Sequence, residues 1–133
     1  MSDGGDSDRY LAKARECRAG AASEHDQGRY NNSANRAYYA CFHAAIAALL
    51  RIGVGPSGQD DHWRHDAVQA QFVDQLINRR KHYSADLRET LGRGAILRAT
   101  ADYRTDLVSE TQSIRSLRRS RAFLDAVEQQ RDR

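Results

Sequence analysis

Apolar residues recur every three to four positions along most of the chain, a spacing that places them on one face of an α-helix. This pattern predicts helices over about 8–26, 33–52, 61–77 and 85–101, and a fifth that begins after residue 109. The sequence has no alternating pattern of the kind that β-strands show. We therefore predict an all-α, up-and-down bundle of four to five helices, with residues 1–7 as a flexible N-terminal tail and 8–130 as the folded domain.

Polar residues at the predicted helix starts indicate where each helix begins, because their side chains accept hydrogen bonds from free backbone N–H groups. The predicted starting residues are Asn32 or Ser33 for the second helix, Asp60 and Asp61 for the third, Ser84 for the fourth, and a capping box from Ser109 to Gln112 for the fifth. Gly92 and Gly94 are expected to weaken the fourth helix by roughly 1 kcal/mol each.

The second predicted helix is apolar on most sides, which is typical of a central helix packed by several neighbours. It nevertheless carries Arg36 and His43, with Tyr39 between them. Seven residues correspond to about 700° of rotation, so the arginine and the histidine point in nearly the same direction. One face of this helix is therefore polar within an otherwise apolar surface.

Other polar residues also fall on apolar stripes. His65 lies on the inward face of the third predicted helix, and Arg98 and Asp102 lie one turn apart on the fourth. A buried charge without a partner is costly, so we expect Arg98 to pair with Asp102. His62 and His65 are spaced as two metal ligands on one turn, a weak signal because no third ligand is evident.

Composition and charge limit the function. The chain is 40% hydrophobic and 29% charged, and no apolar run approaches the ~20 residues of a membrane span, so we expect a cytoplasmic protein with reduced cysteines. Residues 1–78 carry a net charge of −2 and residues 79–133 a net charge of +5. The basic C-terminal half suits RNA, DNA or an acidic protein partner, although single arginines are more often solvated surface residues.

Arg36 and His43 admit two interpretations. Arginine binds a phosphate through a fork of donors, and histidine transfers protons near neutral pH. Together they provide the groups for RNA cleavage without a metal or other cofactor, with the ribose 2′-hydroxyl as the nucleophile. The alternative is structural: a histidine hydrogen-bonded in the core and an arginine that clamps neighbouring helices.

Three segments of the sequence resemble the HEPN domain family, especially its small stand-alone prokaryotic members. The first is the element Arg36, Tyr38, Tyr39, Phe42 and His43, the second is "HDAVQAQF" at 65–72, and the third is "LRATADY" at 97–103, which contains Arg98, Asp102 and Tyr103. The resemblance covers residues 8–130 and implies a helical bundle that is usually dimeric.

The resemblance also implies a function. Many HEPN domains are metal-independent ribonucleases with an Arg-(x)4–6-His motif, often in toxin–antitoxin or defence systems. By analogy, Arg36 and His43 are the candidate catalytic pair, supported by Tyr39, His65, Arg98, Asp102 and Tyr103. Active members often have a polar residue after the arginine, where this chain has Ala37. The resemblance thus leaves open a second function, a non-catalytic module that binds RNA, a minimal nucleotidyltransferase or an antitoxin.

Overall fold

The fold is a bundle of α-helices, seen in a computed structural model that describes residues 2–56 and 62–131. The helices are α1 (Ser2–Asp26), α2 (Tyr30–Arg51), α3 (His65–Gln71), α4 (Thr90–Tyr103) and α5 (Glu110–Arg131). A π-helical segment, Phe72–Arg79, continues α3, and a 3₁₀ turn, Ala85–Leu87, precedes α4. The described residues contain no β-strand, so the predicted all-α class is confirmed.

Helices α1 and α2 form an antiparallel hairpin that small residues allow to pack closely. The hydroxyl of Ser7, early in α1, donates to the carbonyl of Ala47, late in α2 (2.9 Å). The hydroxyl of Ser33, early in α2, donates to the carbonyl of Ala21, late in α1 (2.8 Å). All four residues are buried, so each hydrogen bond satisfies groups that water does not reach.

Helix α2 is the centre of the bundle, as its apolar sequence predicts. It contacts α1, α3, α4 and α5. Helix α5 runs in the same direction as α2: Ala37 and Leu117 pack in one cluster, and Arg51 donates to the carbonyl of Val127. Helix α4 runs antiparallel to α2, since Asn35 bonds Asp102 while Gly94 lies against Tyr38. The predicted up-and-down arrangement therefore describes these helices.

Several predicted helix boundaries were wrong, because the residues chosen as caps have other partners. Helix α1 begins at Ser2 rather than at about Asp8, so residues 2–7 are helical. Helix α2 begins at Tyr30; Ser33 bonds α1, and the side chain of Asn31 accepts from the backbone N–H of Val108. Helix α3 begins at His65, and the predicted caps Asp60 and Asp61 lie outside the described residues.

The last two helices differ in how well their starts were predicted. Ser84 accepts from the N–H of Asp86 and so caps the 3₁₀ turn, while α4 begins only at Thr90. The capping box of α5 is confirmed in both directions. Ser109 N–H donates to the Gln112 side chain (2.9 Å), and Gln112 N–H donates to the Ser109 hydroxyl (3.1 Å).

The helix that begins as α3 ends in a left-handed residue that is not glycine. Lys81 has φ of 55°, and the N–H of His82 donates to the carbonyl of Leu76 (2.9 Å). This bond closes the end of the helix in the manner of a Schellman motif, which normally uses glycine. The turn directs the chain toward Tyr83, which is buried against Phe72.

Candidate functional site

The polar face of α2 opens toward solvent at one end and into aromatic side chains at the other. Arg36 is exposed, and Tyr39 and His43 are half-buried. The guanidinium of Arg36 lies over the Tyr39 ring at 5.4 Å, and the Tyr39 ring lies 6.0 Å from the His43 ring. The three predicted residues therefore form one continuous row, with the tyrosine ring between the cation and the imidazole.

His43 lies among rings from α1 and α2. Its ring centroid is 5.7 Å from that of Tyr10 and 5.8 Å from that of Phe42. Burial, followed by the positive charges of Lys13 and Arg36, lowers the pKa of His43 to about 4. The imidazole is thus neutral at physiological pH. Its Nδ1 atom is buried and has no hydrogen-bond partner among the described residues.

His65, at the start of α3, also packs against Tyr39, with the two ring centroids 5.8 Å apart. Its ring stacks on Phe42 with centroids 4.3 Å apart, and its Nδ1 lies 2.5 Å from the hydroxyl of Tyr38. Burial lowers the pKa of His65 and raises the pKa of Tyr38 to about 12, so both groups are neutral. The tyrosine hydroxyl and Nδ1 of the imidazole therefore share one hydrogen bond, whose direction is set by the tautomer of His65. This bond joins α3 to α2 and holds the aromatic rings in place.

Arg98 of α4 lies against the same aromatic cluster. Its guanidinium lies 5.2 Å from the Tyr38 ring, 5.8 Å from the Tyr39 ring and 5.8 Å from the Tyr103 ring. The ion pair predicted with Asp102 is present at 3.4 Å, between side chains that are 18% and 26% exposed. Tyr39 is therefore flanked by two guanidinium groups, one from α2 and one from α4.

Asn35 connects these two arginines and was not singled out from the sequence. Its side-chain oxygen accepts from the Nε (3.0 Å) and Nη2 (2.5 Å) atoms of Arg36, and its Nδ2 donates to both carboxylate oxygens of Asp102 (2.9 and 3.2 Å). The carboxylate thereby fixes the amide orientation, and the amide fixes the guanidinium. The link to Asp102 spans 67 residues of sequence, so local spacing gives no signal for it.

Ala37 cannot supply a polar group to this site, because it is 1% exposed and packs with Ala21 and Leu117. The residue after Arg36 faces the core, whereas the residue before it faces the site. Asn35 consequently provides the polar contact to the arginine that the sequence after Arg36 lacks. Trp63 also borders the site, with its ring 6.4 Å from Tyr10.

The remaining candidate groups lie outside this cluster. His62 is exposed, and no group of three or more His, Cys, Asp and Glu side chains within the described residues could hold a metal ion. Both cysteines are free thiols, and burial raises the pKa of Cys41 to about 12. In the part of the chain that the structure describes, no helix is long and apolar enough to cross a membrane.

The comparison with known proteins agrees with this all-helical arrangement. The model of one family, the HEPN domain, matches residues 7–130 of the chain. No curated protein gives a significant match. Because the family model covers nearly the whole sequence, the chain belongs to the HEPN domain family.

Proposed function

We propose that the protein is a metal-independent endoribonuclease of a toxin–antitoxin or defence system, with Arg36 and His43 as its catalytic residues. The observation that carries the proposal is the row on α2: an exposed guanidinium oriented by Asn35, separated by the Tyr39 ring from a half-buried, neutral imidazole. Membership of the HEPN family supports it, because members of this family are associated with RNA.

Arg36 is suited to bind the scissile phosphate. Asn35 engages Nε and Nη2, which leaves Nη1 directed away from that contact as a donor for an anionic oxygen. Arg98 adds a second positive charge across the Tyr39 ring. Both charges stabilise the phosphorane-like transition state, whose oxygens carry more negative charge than the phosphodiester.

His43 is suited to transfer the proton. As a neutral imidazole it accepts the proton of the ribose 2′-hydroxyl while the 2′-oxygen attacks phosphorus and the bond to the 5′-oxygen breaks. The proton then passes to the 5′-oxygen, which leaves a 2′,3′-cyclic phosphate and a 5′-hydroxyl. A bound phosphodiester opposes the effect of Lys13 and Arg36 and raises the pKa of the imidazole toward the value that proton transfer requires.

A homodimer would complete the site. Along the α2 axis, residues seven apart are separated by about 10.5 Å, and the Tyr39 ring lies between Arg36 and His43. If two copies of α2 face each other, the arginine of one chain can approach the histidine of the other. The single cleft between the two copies then holds two guanidinium groups and two imidazoles.

The test is cleavage of RNA in EDTA by the wild type and by Arg36→Ala and His43→Ala variants. We expect wild-type cleavage to 2′,3′-cyclic phosphate ends and at least a 100-fold loss in each variant, with unchanged circular dichroism. Arg79→Ala is the matched control, since Arg79 is an exposed arginine paired with Asp74 outside the site. Cleavage that survives both substitutions would refute the proposed roles.

The second candidate function is a non-catalytic binding module that docks a minimal nucleotidyltransferase or another protein, such as an antitoxin, or binds RNA without cleaving it. The contact of Arg36 with Asn35 and the interposed Tyr39 ring favour it, because they suit a fixed recognition surface. This function predicts no cleavage by the wild type. It also predicts that Arg36→Ala weakens binding of RNA, or of a co-purified partner, while His43→Ala has little effect.

A further inference from the structure

A basic groove lies between α4 and α5, outside the Arg36–His43 site. The cavity has a volume of about 270 Å³, and its lining includes Ile96 and Leu97 from α4 and three arginines, Arg93, Arg115 and Arg119. We call these five residues the α4–α5 groove. None of them contacts the catalytic candidates through a hydrogen bond or ion pair given by the structure, so the groove is a separate surface of the molecule.

The positive charge in the groove is only partly neutralised. Arg93 pairs with Glu89 on its own helix at 2.7 Å, and both side chains are mostly exposed. Arg115 and Arg119 form no ion pair with any carboxylate of the described residues. Burial lowers the pKa of Arg119, and the positive charges of Arg93 and Arg115 lower it further, as Coulomb repulsion between nearby guanidinium groups requires. An anion bound between Arg115 and Arg119 would relieve this repulsion.

The groove also exposes an apolar side chain. Ile96, which lines the groove, is 72% exposed. Large apolar side chains rimmed by polar ones are typical of surfaces that bind other proteins. The ligand that suits the groove therefore combines carboxylates with apolar side chains.

We propose that the α4–α5 groove docks an acidic amphipathic segment of a partner protein. Carboxylates of the segment pair with Arg115 and Arg119 in bidentate fashion, and its apolar side chains cover Ile96. A second copy of this chain fits poorly, because a two-fold contact through the groove brings arginines against arginines. RNA fits less well than an acidic segment, because the aliphatic side chains that line the groove offer no flat surface on which a base can stack.

Fluorescence anisotropy with three labelled probes tests this proposal on the full chain. The probes are a helical peptide with leucines and glutamates on one face, the same peptide with lysines in place of glutamates, and a single-stranded RNA. We expect the acidic peptide to bind at least tenfold more tightly than the basic one, with an affinity that falls as salt is added.

Variants assign the binding to the groove. Arg115→Glu combined with Arg119→Glu should weaken the acidic peptide at least tenfold, Ile96→Asp should also weaken it, and Arg79→Glu should leave it unchanged. Circular dichroism checks that each variant folds. Three results would overturn the proposal: equal binding of the acidic peptide to the charge-reversed variant, RNA binding that those same reversals abolish, or a dimer in light scattering that Ile96→Asp dissociates.

The peptide-binding experiment tests the groove independently of the ribonuclease proposal. Arg36→Ala and His43→Ala should abolish cleavage and leave peptide binding intact, since neither residue lines the groove. The double variant Arg115→Glu, Arg119→Glu should weaken peptide binding and leave RNA cleavage intact. Failure of one proposal therefore does not imply failure of the other.

Discussion

His43 is a titratable side chain held in an environment that disfavours its charged form. Tyr10 and Phe42 exclude water from the ring, and Lys13 and Arg36 repel a proton. The fold accommodates His43 at this position because the neutral imidazole packs against its neighbours as other aromatic rings do. The low pKa is therefore a property that links the proposed site directly to the stability of the fold.

We predict that the protein loses stability as the pH falls from about 6.5 to about 4. The unfolded chain protonates His43 near 6.5 and the folded chain only near 4, so between these values the unfolded state binds more protons and stability rises with pH. After allowance for the partial exposure of the ring, the effect is about 2 kcal/mol. Urea unfolding at several pH values measures it.

The matched variant is His43→Gln, which removes the titrating group and keeps a polar side chain. Its unfolding free energy should depend less on pH in this range than that of the wild type. A smaller dependence should remain, because burial also lowers the pKa of His65. Equal slopes for the variant and the wild type would contradict the assignment to His43.

At the scale of single residues, the sequence predicted the row on α2 and missed the residue that orients it. Arg36, Tyr39 and His43 share a face by helical periodicity, which is a local property. Asn35 bonds Asp102 across 67 residues of sequence, and only the packing of α4 on α2 brings these groups together. Ser33 shows the same limit, since it was predicted to cap α2 yet its hydroxyl donates to the backbone carbonyl of Ala21 on α1.

At the scale of elements, the glycines of α4 allow close packing that the sequence did not reveal. A Cβ atom at Gly94 would lie 3.2 Å from Cδ1 of Tyr38, and one at Gly92 would lie 2.9 Å from Nε2 of Gln69. The flexible end of Gln69 can move away, whereas the Tyr38 ring is held by Phe42 and His65. Gly94 therefore sets how closely α4 approaches α2.

We predict that Gly94→Ala lowers the free energy of unfolding by about 1 kcal/mol or more, although alanine is the better helix former. Gly5→Ala is the matched control. It makes the same change within α1, where nothing lies within 4 Å of the added Cβ, and should raise stability by up to about 1 kcal/mol. Thermal or urea unfolding compares the two. Changes of the same sign would mean that helix propensity, not packing against Tyr38, decides the effect.

Helices were predicted best where the signal is local. The capping box of α5 was found because Ser109 and Gln112 are three residues apart and bond each other. The π-helical continuation of α3 was missed, since apolar periodicity cannot distinguish it from a regular helix. The end of that segment depends on the backbone of Lys81, a residue type that gives no sign of a left-handed conformation.

At the scale of the whole molecule, Asp102 joins two helices and the proposed site. It accepts from Asn35 on α2 and pairs with Arg98 on α4. The orientation of Arg36 is thereby tied to the position of α4. The bundle and the site are thus held by the same carboxylate.

We predict that Asp102→Ala lowers the free energy of unfolding by about 1–2 kcal/mol and reduces RNA cleavage about tenfold at temperatures where the variant is folded. The stability loss follows from leaving Asn35 and Arg98 without their acceptor, and the lower activity from a guanidinium that is no longer oriented. Unfolding curves and cleavage rates provide the two readouts. Asp106→Ala, an exposed carboxylate beyond α4, is the control. An Asp102 variant that behaves like this control would rule out the positioning role.

The central place of α2 has a consequence for genetics. Its exposed or half-buried row carries Arg36, Tyr39 and His43, while its buried faces combine large apolar side chains with alanines that are at most 2% exposed. In a selection for loss of the proposed toxicity, most random hits in this helix will change one of its buried residues, 14 of the 22, and reduce the amount of folded protein. Alleles that abolish activity at normal protein levels should map instead to the row itself. Immunoblots of the selected alleles would therefore separate the two classes before any enzyme is purified.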